Sequence, residues 1–467
     1  MNRERKPSVI EALVPMIVLI VLLFCGVFLL EASPHIPMLS AGVFAILFAM
    51  LVLKYSWDEL LKGILAAISS SMPAILILLV VGMVIGTWIS SGVVPAMIYY
   101  GLQIISPSIL LVSAVLITSV VSLTIGSSWT AAATVGVALM GIGTSMGIPS
   151  SIVGGAVISG AYFGDKMSPL SETTNLAPAI AGCTLPEHIR HLLYTTMPSY
   201  IISLVFFGLI NLRYGGGEAN QESIAKLFEG LHGQFAISPA LLLVPVLVIV
   251  MVLLKVPALI SLFAGAALGG LFAMLFQGAT LAATVNVMHY GYTSESGNAI
   301  MDELLTRGGL NSMLWTISLI IIAMVFAGVL ERTGMVRTLT EALARFTRTT
   351  GSLAATTIVS CIGINAMTGE QYLSIVIPGR MYKQAYEEKG LHMKNLSRVL
   401  EDAGTLTSPL FPWNGCGAFM IATLGLAPWT YVPYCFLNLI NPIVSALYGF
   451  TGLTMEKAPV AEGEREE

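Results

Sequence analysis

The run Gly164-Asp165-Lys166-Met167-Ser168-Pro169-Leu170-Ser171-Glu172-Thr173-Thr174-Asn175 interrupts an apolar chain with three charges and a proline. Before it, between Lys62 and Asp165, lie 102 residues without one Asp, Glu, Lys, Arg or His. A second block, Glu401-Asp402-Ala403-Gly404-Thr405-Leu406-Thr407-Ser408-Pro409-Leu410-Phe411-Pro412-Trp413-Asn414-Gly415, opens another uncharged run of 53 residues between Asp402 and Glu456. Lipid makes such runs tolerable, at about 20 residues per helical crossing. The whole chain of 467 residues is 10% charged and 56% hydrophobic, with mean hydropathy +0.85. A soluble domain carries about 25% charged residues, so the composition predicts an all-α polytopic membrane protein. The net charge of −4 says little.

Apolar runs predict simple spans at Leu13–Leu30, Pro37–Leu53, Met72–Ser90, Leu192–Leu212, Pro239–Leu254, Pro257–Phe276, Ser312–Leu330 and Pro428–Tyr448. Two segments, Ser106–Gly143 and Gly351–Met381, have polar centres at 122–130 and 365–371 and read as re-entrant hairpins. Two others, Pro149–Gly182 and Leu396–Gly425, contain the two blocks above and read as broken helices. The basic start, with no small-residue cleavage site after it, reads as leading into a first membrane helix. The five cysteines lack metal-like spacing and read as packing residues.

The features recur in order. Asp58-Glu59-Leu60-Leu61 returns as Asp302-Glu303-Leu304-Leu305, and Ser91-Gly92 as Thr333-Gly334. Thr124-Ile125-Gly126 corresponds to Met367-Thr368-Gly369, Asp165 to Asp402, and Asn175 to Asn414. Near-constant offsets predict two repeats, 1–230 and 231–455, with an acidic tail over 456–467 expected to be disordered. Three spans, a re-entrant hairpin, a broken helix and a final span give five crossings per half. An odd number makes the repeats inverted. With both termini in the cytoplasm, 18 of the 22 Lys and Arg fall on the cytoplasmic side, as the positive-inside rule requires.

Ionisable groups at membrane depth are costly and mark pathways. Asp165, Glu172, Glu370 and Asp402 are the candidate cation- and proton-binding acids, with Glu401 beside them at the expected cytoplasmic mouth. Five acids thus face one base, Lys166. A neutralising Asp165–Lys166 pair at a loop end is the plainer alternative. Ser127, Ser128, Thr130, Ser168, Thr173, Thr174, Asn175, Thr368, Thr407, Ser408 and Asn414 supply hard oxygen donors suited to an alkali cation. The plainer role for such hydroxyls is a bond back to the i−4 carbonyl. Asp165, Asn175 and Asn414 are the expected Na+ ligands. Pro169, Pro178, Pro409 and Pro412 explain the unwinding. His188 and His191, in a basic turn, read as exposed. Gly164-Asp165 matches intramembrane aspartyl proteases only as a dipeptide, and no phosphate-binding loop is present. Energy is therefore expected from an ion gradient, with no cofactor and no nucleic-acid partner.

The block from Gly164 through Pro178 to Thr196-Met197-Pro198-Ser199-Tyr200 resembles the NhaC family of bacterial Na+/H+ antiporters. So do 124–134 and Leu406-Thr407-Ser408-Pro409-Leu410-Phe411-Pro412-Trp413-Asn414. The resemblance covers nearly the whole chain. It implies inverted repeats with re-entrant hairpins, Na+ and H+ as exchanged ions, a bacterial cytoplasmic membrane and a homodimer. The same family includes Na+-coupled malate/lactate antiporters, so malate–H+/lactate–Na+ exchange is the alternative. Five acids against one base disfavour an organic anion. A passive cation channel ranks below both, because paired broken helices serve alternating access.

Overall fold

The computed structural model describes residues 6–30, 32–104, 108–214, 229–296, 301–302 and 305–458. Among these, six helices are long and apolar enough to cross a membrane, including Val9–Gly26, Trp57–Ser90 and Leu185–Tyr214. Five shorter apolar helices accompany them, and the chain is a helical, multi-pass membrane protein.

In the N-terminal half, α1 (Val9–Leu23), α2 (His35–Leu51) and α3 (Trp57–Ser90) are followed by α4 (Val93–Ile104). Next come α5 (Leu110–Ile125), α6 (Ser128–Ala131), α7 (Val137–Ser145), α8 (Ser150–Met167), α9 (Glu172–Ala181) and α10 (Leu185–Tyr214). The C-terminal half continues with α11 (Leu243–Leu253), α12 (Ala258–Gln277), α13 (Leu281–Tyr290), α14 (Leu314–Arg332) and α15 (Met335–Ala344). It closes with α16 (Thr350–Thr368), α17 (Gln371–Glu388), α18 (Met393–Leu400), α19 (Gly415–Leu424) and α20 (Phe436–Thr451).

α3 is 34 residues long, well beyond the span expected from Met72. Ser56 and Glu59 form a capping box at its start, and Asp58 and Glu59 complement the helix dipole. The amphipathic first turns therefore join the apolar span in one rod. That rod packs along α12 and α14 of the other half.

Both hairpins turn in the same way. α5 ends at Gly126 (φ 78°) and α16 at Gly369 (φ 64°), each left-handed and each without the Cβ that would resist it. The next residue is extended in both cases: Ser127 caps α6 and Glu370 caps α17. Gly182 and Gly425, also left-handed, end α9 and α19. Both glycine pairs stand 243 residues apart.

The breaks are narrower than the polar blocks. Asp165 and Lys166 still belong to the last turn of α8, and Glu172 starts α9, so the first gap is 168–171. In the second, Glu401–Thr405 continue as a π-turn and Ser408–Leu410 as a 3₁₀ turn before the chain opens at 411–414. α8 lies directly against α5: a Cβ on Gly164 would stand 2.3 Å from the Ser119 carbonyl oxygen.

Two expectations are corrected. The acidic tail is not wholly loose: Lys457 bridges to Leu391, the Glu456 carbonyl accepts from the His392 N–H, and the Glu456 N–H donates to Asn395 Oδ1. Residues 459–467 of that tail lie outside the described residues. His188 and His191 are buried, not exposed. The Ser397 hydroxyl pairs with His188 Nδ1 at 2.6 Å, and His191 Nε2 pairs with Asn395 at 3.2 Å. α18 and the C-terminal segment cover the turn that its basic composition makes look solvated.

Candidate functional site

The two breaks meet through charge. Lys166, at the end of α8, forms an ion pair with Asp402 in the π-turn after α18, and both side chains are fully buried. A buried pair is sustainable only when its remaining donors and acceptors are met. Asp402 Oδ1 also accepts from Thr195 Oγ1 of α10 (3.0 Å) and Asn441 Nδ2 of α20 (2.7 Å). Its other oxygen, Oδ2, accepts no hydrogen bond, although Arg398 Nε lies 3.9 Å away. Arg398 is itself fully buried. The expectation of a single base is therefore corrected: two bases reach this depth, and both face Asp402.

Asp165 is held differently. Its Oδ2 accepts from the Ser128 backbone N–H (3.1 Å) and the Ser128 hydroxyl (2.6 Å), across from the first hairpin tip. Ser171 approaches the same carboxyl. The alternative of a neutral Asp165–Lys166 pair does not hold: Lys166 pairs with Asp402 instead, because successive helical residues point in different directions. Glu401, also fully buried, accepts from Thr173 Oγ1 at 3.0 Å. Thr174 Oγ1 donates to the Asp165 and Lys166 carbonyls at 3.2 and 3.0 Å, closing the end of α8. Ser168 Oγ accepts from the Leu170 N–H at 3.2 Å inside the break. Ser127 Oγ accepts from the Thr130 N–H and hydroxyl, both at 3.2 Å.

Glu172 and Glu370 share no hydrogen bond with this cluster among the described residues. The Tyr372 hydroxyl donates to Glu172, which is exposed at the start of α9. Glu370 caps its own helix through the Tyr372 N–H (3.4 Å). Thr368 bonds back to Ile364 O (2.9 Å), Thr407 to Ala403 O (2.7 Å) and Ser408 to Thr405 O (2.7 Å), the ordinary membrane-helix role. The expected Na+ ligands are not joined by any hydrogen bond. Asn175 is exposed and donates to Pro169 O and Ser171 O in its own turn. Asn414 donates to Asn365 and caps α19 through the Cys416 N–H.

Several residues that complete the site were not among the sequence candidates. Freed carbonyls in the second break need donors at this depth. Asn365 Nδ2 donates to Gly404 O (2.7 Å), Asn438 Nδ2 to Leu406 O (2.8 Å) and the Tyr431 hydroxyl to Pro409 O (2.5 Å). Asn438 and Asn441, two amides in an otherwise apolar span, were the available signal for α20. Arg398, one helical turn before Asp402, was another. Trp129 of α6 stacks on Phe419 of α19 with centroids 4.2 Å apart, joining the two half-helices.

This arrangement is one bridged ion pair beside two buried acids that make no salt bridge among the described residues. Such a site can bind a small cation and can hold a proton. A model of the Na+/H+ antiporter family matches residues 160–453, a range that contains both breaks and the second hairpin. The chain is 41% identical over 457 residues to the Na+/H+ antiporter NhaC of Alkalihalophilus pseudofirmus, covering 97% of this chain and 98% of the relative. The NhaC antiporter of Bacillus subtilis is 37% identical over 451 residues, covering 96% and 99%. The malate-2H+/Na+-lactate antiporter of Bacillus subtilis is 33% identical over 452 residues, covering 97% and 96%. The chain belongs to the Na+/H+ antiporter family.

Proposed function

We propose that this protein exchanges Na+ for H+ across the bacterial cytoplasmic membrane, with Asp165 as the residue that takes cation and proton in turn. One observation carries the assignment. Asp165 is a buried carboxylate that receives two hydrogen bonds from Ser128 and, among the described residues, is paired with no base. A carboxylate in that setting needs a positive partner, and Na+ and H+ compete to provide it. Glu401 is the second acid within reach. Glu172 and Glu370 serve the approach of cations. Asn175 and Asn414 offer oxygen ligands once the half-helices rearrange.

The two homologous halves are read as inverted repeats, 1–230 and 231–455, with both termini in the cytoplasm, so that one half rocks against the other around a fixed site. Cysteines placed at Ser150 and Lys389 in a cysteine-free chain should then label from the outside and the cytoplasm respectively. Labelling of both from one side would defeat the inversion.

Malate–H+/lactate–Na+ exchange is the second reading, favoured by the malate/lactate relative and by the second buried base. Against it, Lys166 and Arg398 both already face Asp402, which leaves no free base for a carboxylate substrate. The deciding experiment is dequenching of a pH dye in everted vesicles on adding Na+, Li+, K+, or malate with lactate. Na+ alone should collapse the imposed proton gradient. A response that needs malate and lactate would put the second reading first.

A further inference from the structure

We propose that Arg398 is a positioning residue of the exchange site, held short of Asp402 by the C-terminal segment 452–458. The inference rests on the cation-exchange reading above. Arg398 is buried, yet the structure divides its donors. Nη1 donates to Thr454 Oγ1 at 2.7 Å and Nη2 to Met455 Sδ at 3.2 Å. Nε makes no hydrogen bond and lies 3.9 Å from Asp402 Oδ2, which accepts none.

An arginine within reach of a buried carboxylate ordinarily closes a short, forked pair with it. Here the outer edge of the guanidinium is occupied by Thr454 and Met455, and the pair stays open. The segment that holds it is anchored without Arg398. Glu456 pairs with Lys394, and that ammonium, with His191 and His392 adding to it, holds the Glu456 carboxyl below its usual range. The His392 N–H donates to Glu456 O at 3.0 Å and the Ala458 N–H to Gly390 O at 2.8 Å. Met455 packs against the apolar cluster that contains Leu391, Leu396, Leu400, Tyr382 and Tyr386. Lys166 therefore keeps the closer contact with Asp402.

Two consequences of opposite sign follow from Coulomb's law. Removing the Arg398 charge makes the buried acids hold cations more tightly and release them more slowly. Unhooking the guanidinium from Thr454 and Met455 lets it close on Asp402 Oδ2, which loosens the hold of Asp402 on Lys166, and the less well paired ammonium then weakens Na+ binding at the buried acids.

The test uses the full-length protein in proteoliposomes, with Na+-driven proton flux measured against Na+ concentration. Arg398→Gln should lower the Na+ half-saturation concentration roughly ten-fold, given a unit charge at low effective dielectric, and lower the maximal rate. Arg398→Lys should restore the wild-type half-saturation. Thr454→Val combined with Met455→Leu should raise it. A merely structural role would lower folded yield and maximal rate in Arg398→Gln with half-saturation unmoved, and that result overturns the proposal. If Arg398→Gln does not fold, the Thr454/Met455 variant carries the test alone, because it leaves the charge in place; an unmoved half-saturation there overturns the tether. A wild-type protein without Na+-driven flux would defeat the antiport reading instead.

Discussion

Asp165 and Asp402 occupy corresponding places, each at the break of its own half, and their surroundings are opposite. Asp402 is held by Lys166, Thr195 and Asn441, with Arg398 at 3.9 Å. Among the described residues, Asp165 is held at hydrogen-bond distance by Ser128 alone, through bonds of 2.6 and 3.1 Å, and by no base. The first half thus supplies an acid whose charge is unbalanced, and the second an acid whose charge is spent on joining the halves. The partners brought in from α8, α10 and α20 make Asp402 a strut, and among the described residues they leave Asp165 without a base.

The largest effect is expected at the strut. Asp402→Asn leaves Lys166 buried without its counter-ion, a change that costs about 3–5 kcal/mol in buried pairs. The variant should lose folded yield and thermal stability in detergent. Combining it with Lys166→Met should recover much of that stability, since the pair as a whole contributes little once both charges are gone. Full stability in Asp402→Asn alone would mean that Asp402 is not the partner of Lys166, and the contrast between the two acids would fail.

A smaller effect is expected at Ser128. Ser128→Ala removes the 2.6 Å hydroxyl bond to Asp165 and keeps the backbone one. Hydrogen bonds to charged groups contribute about 1.5–3 kcal/mol. Because that bond favours the ionised carboxylate, its loss should raise the proton affinity of Asp165. The optimum for Na+-driven flux should move to higher pH while folded yield stays near wild type. An unmoved optimum would show that Ser128 does not tune this acid.

Much of this architecture is legible in the sequence. The hairpin tips show as polar centres beside Gly126 and Gly369, and the breaks as charged, proline-bearing blocks in apolar runs. A local signal suffices there, since glycine, proline and charge act on the backbone where they stand. The ion pair is not local: Lys166 and Asp402 are 236 residues apart, and the neighbouring Asp165 was the nearer partner on paper. Arg398 reads from the sequence as one more cytoplasmic base, because its burial depends on Thr454 and Met455, 56 and 57 residues further on, where the sequence carries no signal that the chain folds back. The same covering hides His188 and His191. The start of α3 escapes a hydropathy reading for a different reason: averaging hides the capping box at Ser56 that lets the helix begin at Trp57.

The exchange of Na+ for H+ at Asp165 is tested by Asp165→Asn in everted vesicles, with folded and inserted protein matched to wild type and Na+-dependent dye dequenching as the readout. The amide keeps the shape and the approach of Ser128 and removes the charge that Na+ and the proton share. Na+-dependent proton flux should disappear while stability stays near wild type, the reverse of the balance expected for Asp402→Asn. Near-normal Na+-dependent flux in Asp165→Asn would contradict the assignment and move the exchange to Glu401.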